Sequence, residues 1–380
     1  MEPLGQSQII SYIMNLSNKY EITIFSFEKK QDIQDKLKLD IFKKNLKENN
    51  IVWKYNKFNK TNFLNILKFF DMLRMFIDLF FLIKTNKYKI IHCRSYVTAI
   101  IAVFLKSFFN FKLIFDMRGF WIDERIEWKI WKYKNLKYYL FRKLEKELFR
   151  KSNVIITLTN DAKQYIVERK NVLTENIFVI PTCVNLKLFT RNKKSFRKLT
   201  LIHLGAIGTR YNFEKFISLY KKLNNFIDLQ MLIINKNEKE YIKFMLEKNN
   251  IKEQEYNILS VHYKDVGDSL LGNSVGVFFP INGFYLKGYF PTKLAEFLSA
   301  GIPVITHDIN KHVNDIIENN NVGISLQNKS ILTNEEVVKI NALINNISEY
   351  ADKCTNVAQT YFSSKKGSDI YDKIYTKLNL

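Results

Sequence analysis

Compact apolar runs alternate along the chain with longer stretches in which apolar residues return at helical spacing. In the first half the runs fall at Ile22–Phe25, Lys89–Cys93, Lys112–Asp116, Asn153–Leu158 and Ile177–Ile180. In the second half they are Leu199–Leu204, Leu229–Ile234, Tyr256–Val261, Gly276–Phe279, Ile302–Thr306 and Gly323–Leu326. Continuous apolar strands separated by helix-length stretches predict parallel sheets built from β-α-β units, because parallel neighbours need crossovers and the crossover helices cover both sheet faces. The fold class is therefore α/β. The most apolar helical stretch, Phe69–Ile83, is broken by Asp71, Arg74 and Asp78. It predicts an amphipathic helix, since a membrane span needs about 20 mainly apolar residues.

The basic, turn-poor stretch Lys187–Lys198 reads as a hinge between two such units. The expected division is a first Rossmann-like domain over 1–186, a second over 199–360, and a C-terminal helix over 361–380. Thr333 followed by Glu336 predicts a capping box, and Gly367–Leu380 is helical in pattern.

The segment Gly288–Ile305 concentrates candidate chemistry. Pro291 suits a helix start, and Leu294, Phe297 and Leu298 form a core-facing stripe. Gly301 and Pro303 stop the helix before a buried strand. Lys293 and Glu296, three apart, are expected to share the opposite, open face. Free backbone N–H groups and the helix dipole favour an anion at such an N-terminus, and a lysine there adds to the attraction. A carboxylate one turn on can accept two hydrogen bonds from a ribose diol. An ordinary helix–strand unit with an exposed Lys and Glu would show the same pattern, so other segments must decide.

Composition and charge narrow the choice. With 380 residues, 47% hydrophobic and 14% aromatic, the chain can build two cores. Cys93, Cys183 and Cys354 are far apart and lack metal-ligand spacing, which fits a reduced, cytosolic protein. The formal net charge is +22. Residues 1–200 hold 39 Lys/Arg against 18 Asp/Glu, whereas residues 201–380 hold 20 against 19. A genome-wide lysine bias would load both halves, so the basic first half points to an anionic partner surface. Five scattered histidines and no Asp-x-Asp pair give no metal site.

The pattern Pro-x-Lys-x-x-Glu-x-x-x-x-Gly-x-Pro-Val-Ile over 291–305 resembles the C-terminal domain of retaining glycosyltransferases with the two-Rossmann-domain (GT-B) fold, family 4 in particular. Leu201–Asn212, a strand followed by Gly205 and Gly208, resembles that family's diphosphate loop. Phe115-Asp-Met-Arg-Gly-Phe-Trp-Ile-Asp-Glu124 resembles an acceptor-side signature of one of its subgroups. The resemblance implies a cleft between two parallel-sheet domains, with a C-terminal helix crossing back to the first. It implies donor nucleotide-sugar contacts from Gly205, Gly208, Thr209, Arg210, Pro291, Thr292, Lys293 and Glu296. Gly5, Gln6, His92, Arg94 and Arg118 are expected in the donor/acceptor cleft. Asp116, Asp123 and Glu124 are candidates to orient or deprotonate an acceptor hydroxyl, and the sequence does not choose among them. Pairing of these acids with Arg118 and Arg125 is the structural alternative.

Three departures from the family pattern stand out. Ala206 and Tyr211 occupy places where relatives carry two cations, leaving Arg210 and Lys293 as substitutes. Gly288 occupies the place of the first glutamate of the usual pair. The chain opens almost at once on Gly5-Gln-Ser-Gln8, so the buried first strand of relatives is expected to be missing. The implied activity is sugar transfer from a nucleotide-diphosphate sugar to a glycan or polyprenyl-linked acceptor, with no cofactor and no metal. The expected setting is the inner face of a cell membrane, met through the basic first half, with no nucleic acid partner. A catalytically decayed basic binding module and a nucleotide-sugar epimerase of the same fold are the rival readings.

Overall fold

The computed structural model describes residues 5–58, 65–192, 194–208, 210–327 and 332–379, with the backbone alone at 6, 7 and 65–69. In the first half, β3 (Ile90–Arg94), β4 (Lys112–Asp116), β5 (Val154–Thr157) and β6 (Ile177–Val179) form a four-stranded parallel sheet in that order. A separate parallel pair joins β1 (Ile22–Lys29) to β2 (Ile51–Phe58). Continuous apolar runs do not mark β2, because Lys54, Asn56 and Lys57 interrupt it. Its signal is period-two alternation of Ile51, Trp53 and Tyr55, the mark of a strand with one wetter face.

In the second half, β7 (Ser195–Leu204), β8 (Leu229–Ile234), β9 (Tyr256–Leu259), β10 (Gly272–Val277), β11 (Val304–His307) and β12 (Gly323–Leu326) form one parallel sheet. Their order is β12-β11-β10-β7-β8-β9. The last residues of the 187–198 stretch are thus already strand. The chain runs outward from β7 through β9, then returns to β10 on the other side of β7. That reversal opens a crevice at the carboxyl ends of β7 and β10, the usual ligand position in open α/β sheets.

The helices used below are α1 (Asn65–Asn86), α2 (Tyr96–Leu105), α3 (Trp121–Glu127), α4 (Leu136–Lys151), α5 (Asn160–Lys170), α6 (Thr292–Ser299), α7 (Lys311–Asn319) and α8 (Ser364–Asn379). The central strands bury both faces. Leu113, Phe115 and Ile155 pack with residues of α2 and α4, while Ile114, Val154 and Ile156 pack with Tyr12, Tyr371 and Ile374. The second cluster depends on α8, which crosses from the second half back to the first. Ser368 Oγ donates to the Tyr12 carbonyl at 2.9 Å, and Tyr20 donates to Asp372 at 2.8 Å. Gly367 is required there, because the Tyr12 ring occupies the space a Cβ would need. Thr333 and Glu336 form the capping box expected of them. Among the described residues, no helix is long and apolar enough to cross a membrane.

Candidate active site

The loop after β7 is shaped around a lysine. Gly205 has φ +100°, a region that favours glycine, and a Cβ there would lie 2.6 Å from Lys293 Nζ. Lys293, in the first turn of α6, lies with its ammonium 4.9 Å from the centre of the Tyr211 ring. Tyr211 is buried, its hydroxyl 2.6 Å from that of Tyr289, and it bridges to Pro280 across the β7–β10 crevice. Gly208 has φ +78° and opens toward the Tyr241 ring. Glu238 holds the loop from below by accepting from the Ile207 amide at 3.0 Å and from Asn235 at 2.7 Å. Thr209 lies outside the described residues.

Helix α6 begins one residue later than expected, with Pro291 at its N-cap and Thr292 and Lys293 in its first turn. Its stripe of Leu294, Phe297 and Leu298 is buried as predicted. Gly276 in β10 makes this seat possible, since a Cβ there would approach the Phe297 ring to 2.5 Å. The expected open face needs correction at Glu296, which is only 5% exposed. Burial pushes its carboxyl up, while Lys293 and the Tyr263 hydroxyl act the other way. Beneath Lys293, burial and that ammonium lower His203 to about 4, so its ring is neutral.

The acceptor-side acids separate into different environments. Asp116, 1% exposed, accepts at Oδ2 from Tyr371 at 3.2 Å and from Arg94 at 3.4 Å. Arg118 stands 3.9 Å from its other oxygen. Asp123 pairs with Arg142, which also binds Glu145 at 3.0 Å in a buried network with Tyr96 and Lys170. Both acids were candidates to meet an acceptor hydroxyl. Asp116 is held by Arg94, Tyr371 and Arg118, the last being the pairing considered above, and Asp123 is held by Arg142 rather than Arg125. Asp116 Oδ1 and Asp123 Oδ2 are buried without a hydrogen-bond partner among the described residues. Glu124 differs, because its carboxylate lies beside Gly119 and feels Arg210 of the second half as its largest attractive charge. Burial raises it above the usual carboxylate range.

His92 also turns inward. Its Nδ1 is 2.8 Å from the Tyr375 hydroxyl, and burial drops its pKa to about 4. Arg94 and Arg118 converge on Gln8, whose side-chain oxygen accepts from both, at 2.9 Å from Arg118. Gln8 in turn donates to Thr292 at 3.4 Å, linking these cations to the α6 N-terminus. Residues 5–13 are helical, so the expected glycine-bearing loop is instead the start of a helix. Gly5 stands at its start, and the Gln6 side chain lies outside the described set. Gln8 was missed as a site residue because a lone Gln in a polar run carries no spacing signal. Arg118 adopts φ +58°, uncommon for a side-chain-bearing residue, followed by Gly119 at +132°. Such strained positions cluster at functional sites.

The two halves meet directly around this region. Glu127 accepts from the amides of Phe284 at 2.5 Å and Tyr285 at 3.2 Å. Asp161 accepts from the amides of Lys311 and His312 at the start of α7. Thr182 donates to the Phe290 carbonyl at 3.3 Å, and Thr159 donates to that of Lys287. Arg210 reaches across to the Trp128 ring, 5.1 Å from its centre. At Gly288, a Cβ would come within 3.0 Å of the Phe120 ring. A side chain here, such as the glutamate of the family pattern, would press on the Phe120 ring and the Gly119 backbone.

Two Rossmann-like domains with parallel sheets, tied together by a returning C-terminal helix, have the GT-B fold of glycosyltransferases. The sequence matches two family models, Glycosyltransferase Family 4 over residues 15–188 and Glycosyl transferases group 1 over residues 187–360. The chain belongs to glycosyltransferase family 4. Similar solved structures include a glycosyltransferase from Rickettsia africae, at TM-score 0.66 and 15% identity over 94% of this chain and 98% of that one. A sucrose-phosphate synthase from Thermosynechococcus elongatus gives TM-score 0.71 and 11% identity over 97% and 92%. Anabaena HepE, solved with UDP and glucose, gives 0.67 and 11% over 97% and 94%. At these identities the likeness is one of fold. No curated protein matches the sequence.

Proposed function

We propose that the protein transfers a sugar, with retention at the anomeric carbon and without a metal, from a nucleotide-diphosphate sugar to a glycan or polyprenyl-linked acceptor in cell-surface polysaccharide synthesis. The observation that carries this reading is the Gly205–Lys293 contact. A bare glycine at the end of β7, a lysine ammonium above it and the open start of α6 converge at the sheet's switch point, where a diphosphate would be held. HepE is a neighbour of the same fold solved with UDP and glucose, which favours a nucleotide sugar as donor. Lys293 and Arg210 would neutralise the departing diphosphate. Glu296 would meet the ribose, and Glu124, facing Arg210, is the carboxylate best placed for the acceptor hydroxyl. Thr209 and Pro291 would complete the donor loop and the helix start. The basic first half would face acidic lipid on the cytoplasmic side of the membrane.

The test is a thermal-shift and calorimetry panel of UDP, GDP, ADP and their sugars on wild type, Lys293→Met and Glu296→Ala. A ligand at 100 times its Kd adds about 2.7 kcal/mol of stability. A shift with one nucleotide that both variants weaken supports the reading, and no shift with any nucleotide overturns it. NMR of the first product's anomeric proton decides retention.

A further inference from the structure

The surface that follows α3 has an unusual composition. From Lys129 to Lys143 the chain holds Lys129, Lys132, Lys134, Lys137, Arg142 and Lys143 and no acidic residue. Large apolar side chains stand among these cations in contact with water. Leu136 is 87% exposed, and Ile130, Tyr133, Tyr139 and Leu140 are each more than half exposed. Tyr133 and Trp131 hold lysine ammoniums over their rings, Lys134 at 5.4 Å and Lys137 at 4.5 Å. Aromatic rings with polar edges, aliphatic tips and snorkelling lysines together suit the boundary between lipid headgroups and acyl chains.

The location matters as much as the composition. Trp128, one residue before this segment, lies against Arg210 of the donor-side loop, and Glu127 binds the amides of Phe284 and Tyr285. The segment therefore starts at the rim where the two halves meet. It runs into α4, which packs on α2, and α2 packs on α1. That helical layer also exposes Leu73, Ile77, Phe81, Phe104 and Phe108.

We infer that the 129–143 segment is the docking face for an anionic lipid surface, setting the mouth of the cleft against the headgroups. This rests on the reading of the protein as a transferase with a lipid-linked acceptor, and it names the element that makes the contact. Charge decides the occupant. A second copy of the same face would bring five exposed lysines against five, and like charges oppose that pairing. A polynucleotide would satisfy the lysines but leave Ile130, Leu136 and Leu140 in water. An acidic bilayer satisfies both.

The experiment is co-sedimentation of the full chain with vesicles of phosphatidylglycerol and phosphatidylcholine in equal parts, and with phosphatidylcholine alone. UDP binding and melting temperature are measured separately without vesicles. Two test variants are Lys132→Glu with Lys134→Glu and Lys137→Glu, and Leu136→Ala with Leu140→Ala. A control reverses Lys248, Lys252 and Lys366, exposed lysines elsewhere. The expected result is preference for the acidic vesicles, lost about 100-fold in the lysine triple, at about 1 kcal/mol per cation. The leucine pair should fall about tenfold and the control less than about threefold, with melting and UDP binding unchanged in all three. Equal loss in the control and the triple, or no loss in the triple, overturns the assignment. So does tighter binding to a 20-mer oligonucleotide than to the vesicles, or self-association abolished by the leucine pair. If wild type binds vesicles through this segment but binds no nucleotide, the surface stands and the transferase reading falls.

Discussion

Asp116→Asn distinguishes a carboxylate that holds the fold from one that takes a proton. Asp116 is buried between Arg94 and Arg118, with the Tyr371 hydroxyl donating to it from α8. Asparagine keeps the shape but removes the negative charge, leaving two guanidinium groups facing each other with their shared anion gone. Removing one partner of a buried ionic group costs about 3–5 kcal/mol, because the remaining charge stays desolvated. For a unit of this size each kcal/mol lowers the melting temperature by about 2–4 °C, so a fall near 10 °C is expected. Differential scanning calorimetry measures it, and turnover is followed well below the new transition. There the folded fraction should transfer sugar within about tenfold of wild type. A proton-accepting Asp116 would behave in the opposite way, with melting kept and turnover reduced by at least about 100-fold. That pattern would refute the structural role argued from its burial.

Four further predictions follow from the geometry. Gly276→Ala should lower stability by about 1–3 kcal/mol through overpacking against Phe297, and should weaken nucleotide binding by disturbing α6; urea unfolding and titration with the nucleotide diphosphate that the panel identifies read the two effects. Glu127→Ala removes two charge-assisted bonds between the halves, and small-angle scattering should show a larger radius of gyration without ligand. His203 and His307 are both buried with pKa values lowered to about 4, so they are neutral in the folded chain while the unfolded chain protonates near 6.5. Their stability contribution is complete above that value and is lost as pH falls toward 4, by about 2 kcal/mol each at pH 5. Urea midpoints at pH 7 and 5 should show this drop, partly offset by Glu296, whose raised pKa has the opposite sign. Gly205→Ala should cut affinity for the nucleotide diphosphate that the panel identifies about tenfold or more, because the new methyl group displaces Lys293 Nζ; calorimetry on Gly205→Ala and Lys293→Met should find similar losses.

Much of the fold is legible in the sequence because both faces of the parallel strands are buried. Lys112–Asp116, Leu229–Ile234 and Gly323–Leu326 begin and end where their apolar runs do. The alternating β2 is not, since its pattern competes with helical spacing over a short window. At the site, motif spacing brings out Gly205, Lys293 and Glu296, because each sits in a local strand–turn or helix-start pattern, although the contact of Gly205 with Lys293 spans the fold. It cannot separate Asp116, Asp123 and Glu124. Their surroundings come from Tyr371, Arg142 and Arg210, which lie far away along the chain. Gln8 is hidden for the same reason, being defined by contacts to Arg94, Arg118 and Thr292.

The returning helix α8 also bears on how the molecule comes off the ribosome. Synthesis runs from the amino end, and domains generally fold as they emerge. Here one face of the first sheet is covered by Tyr371 and Ile374, and Asp116 receives a hydrogen bond from Tyr371. That face stays open, with Tyr12, Ile114 and Ile156 unshielded, throughout translation of the entire second half. The first half can collapse early but can set its core only when residues 364–379 arrive. A chain stalled or terminated before residue 364 would present this apolar face to chaperones and proteases, so competence of the first half is tied to the arrival of α8.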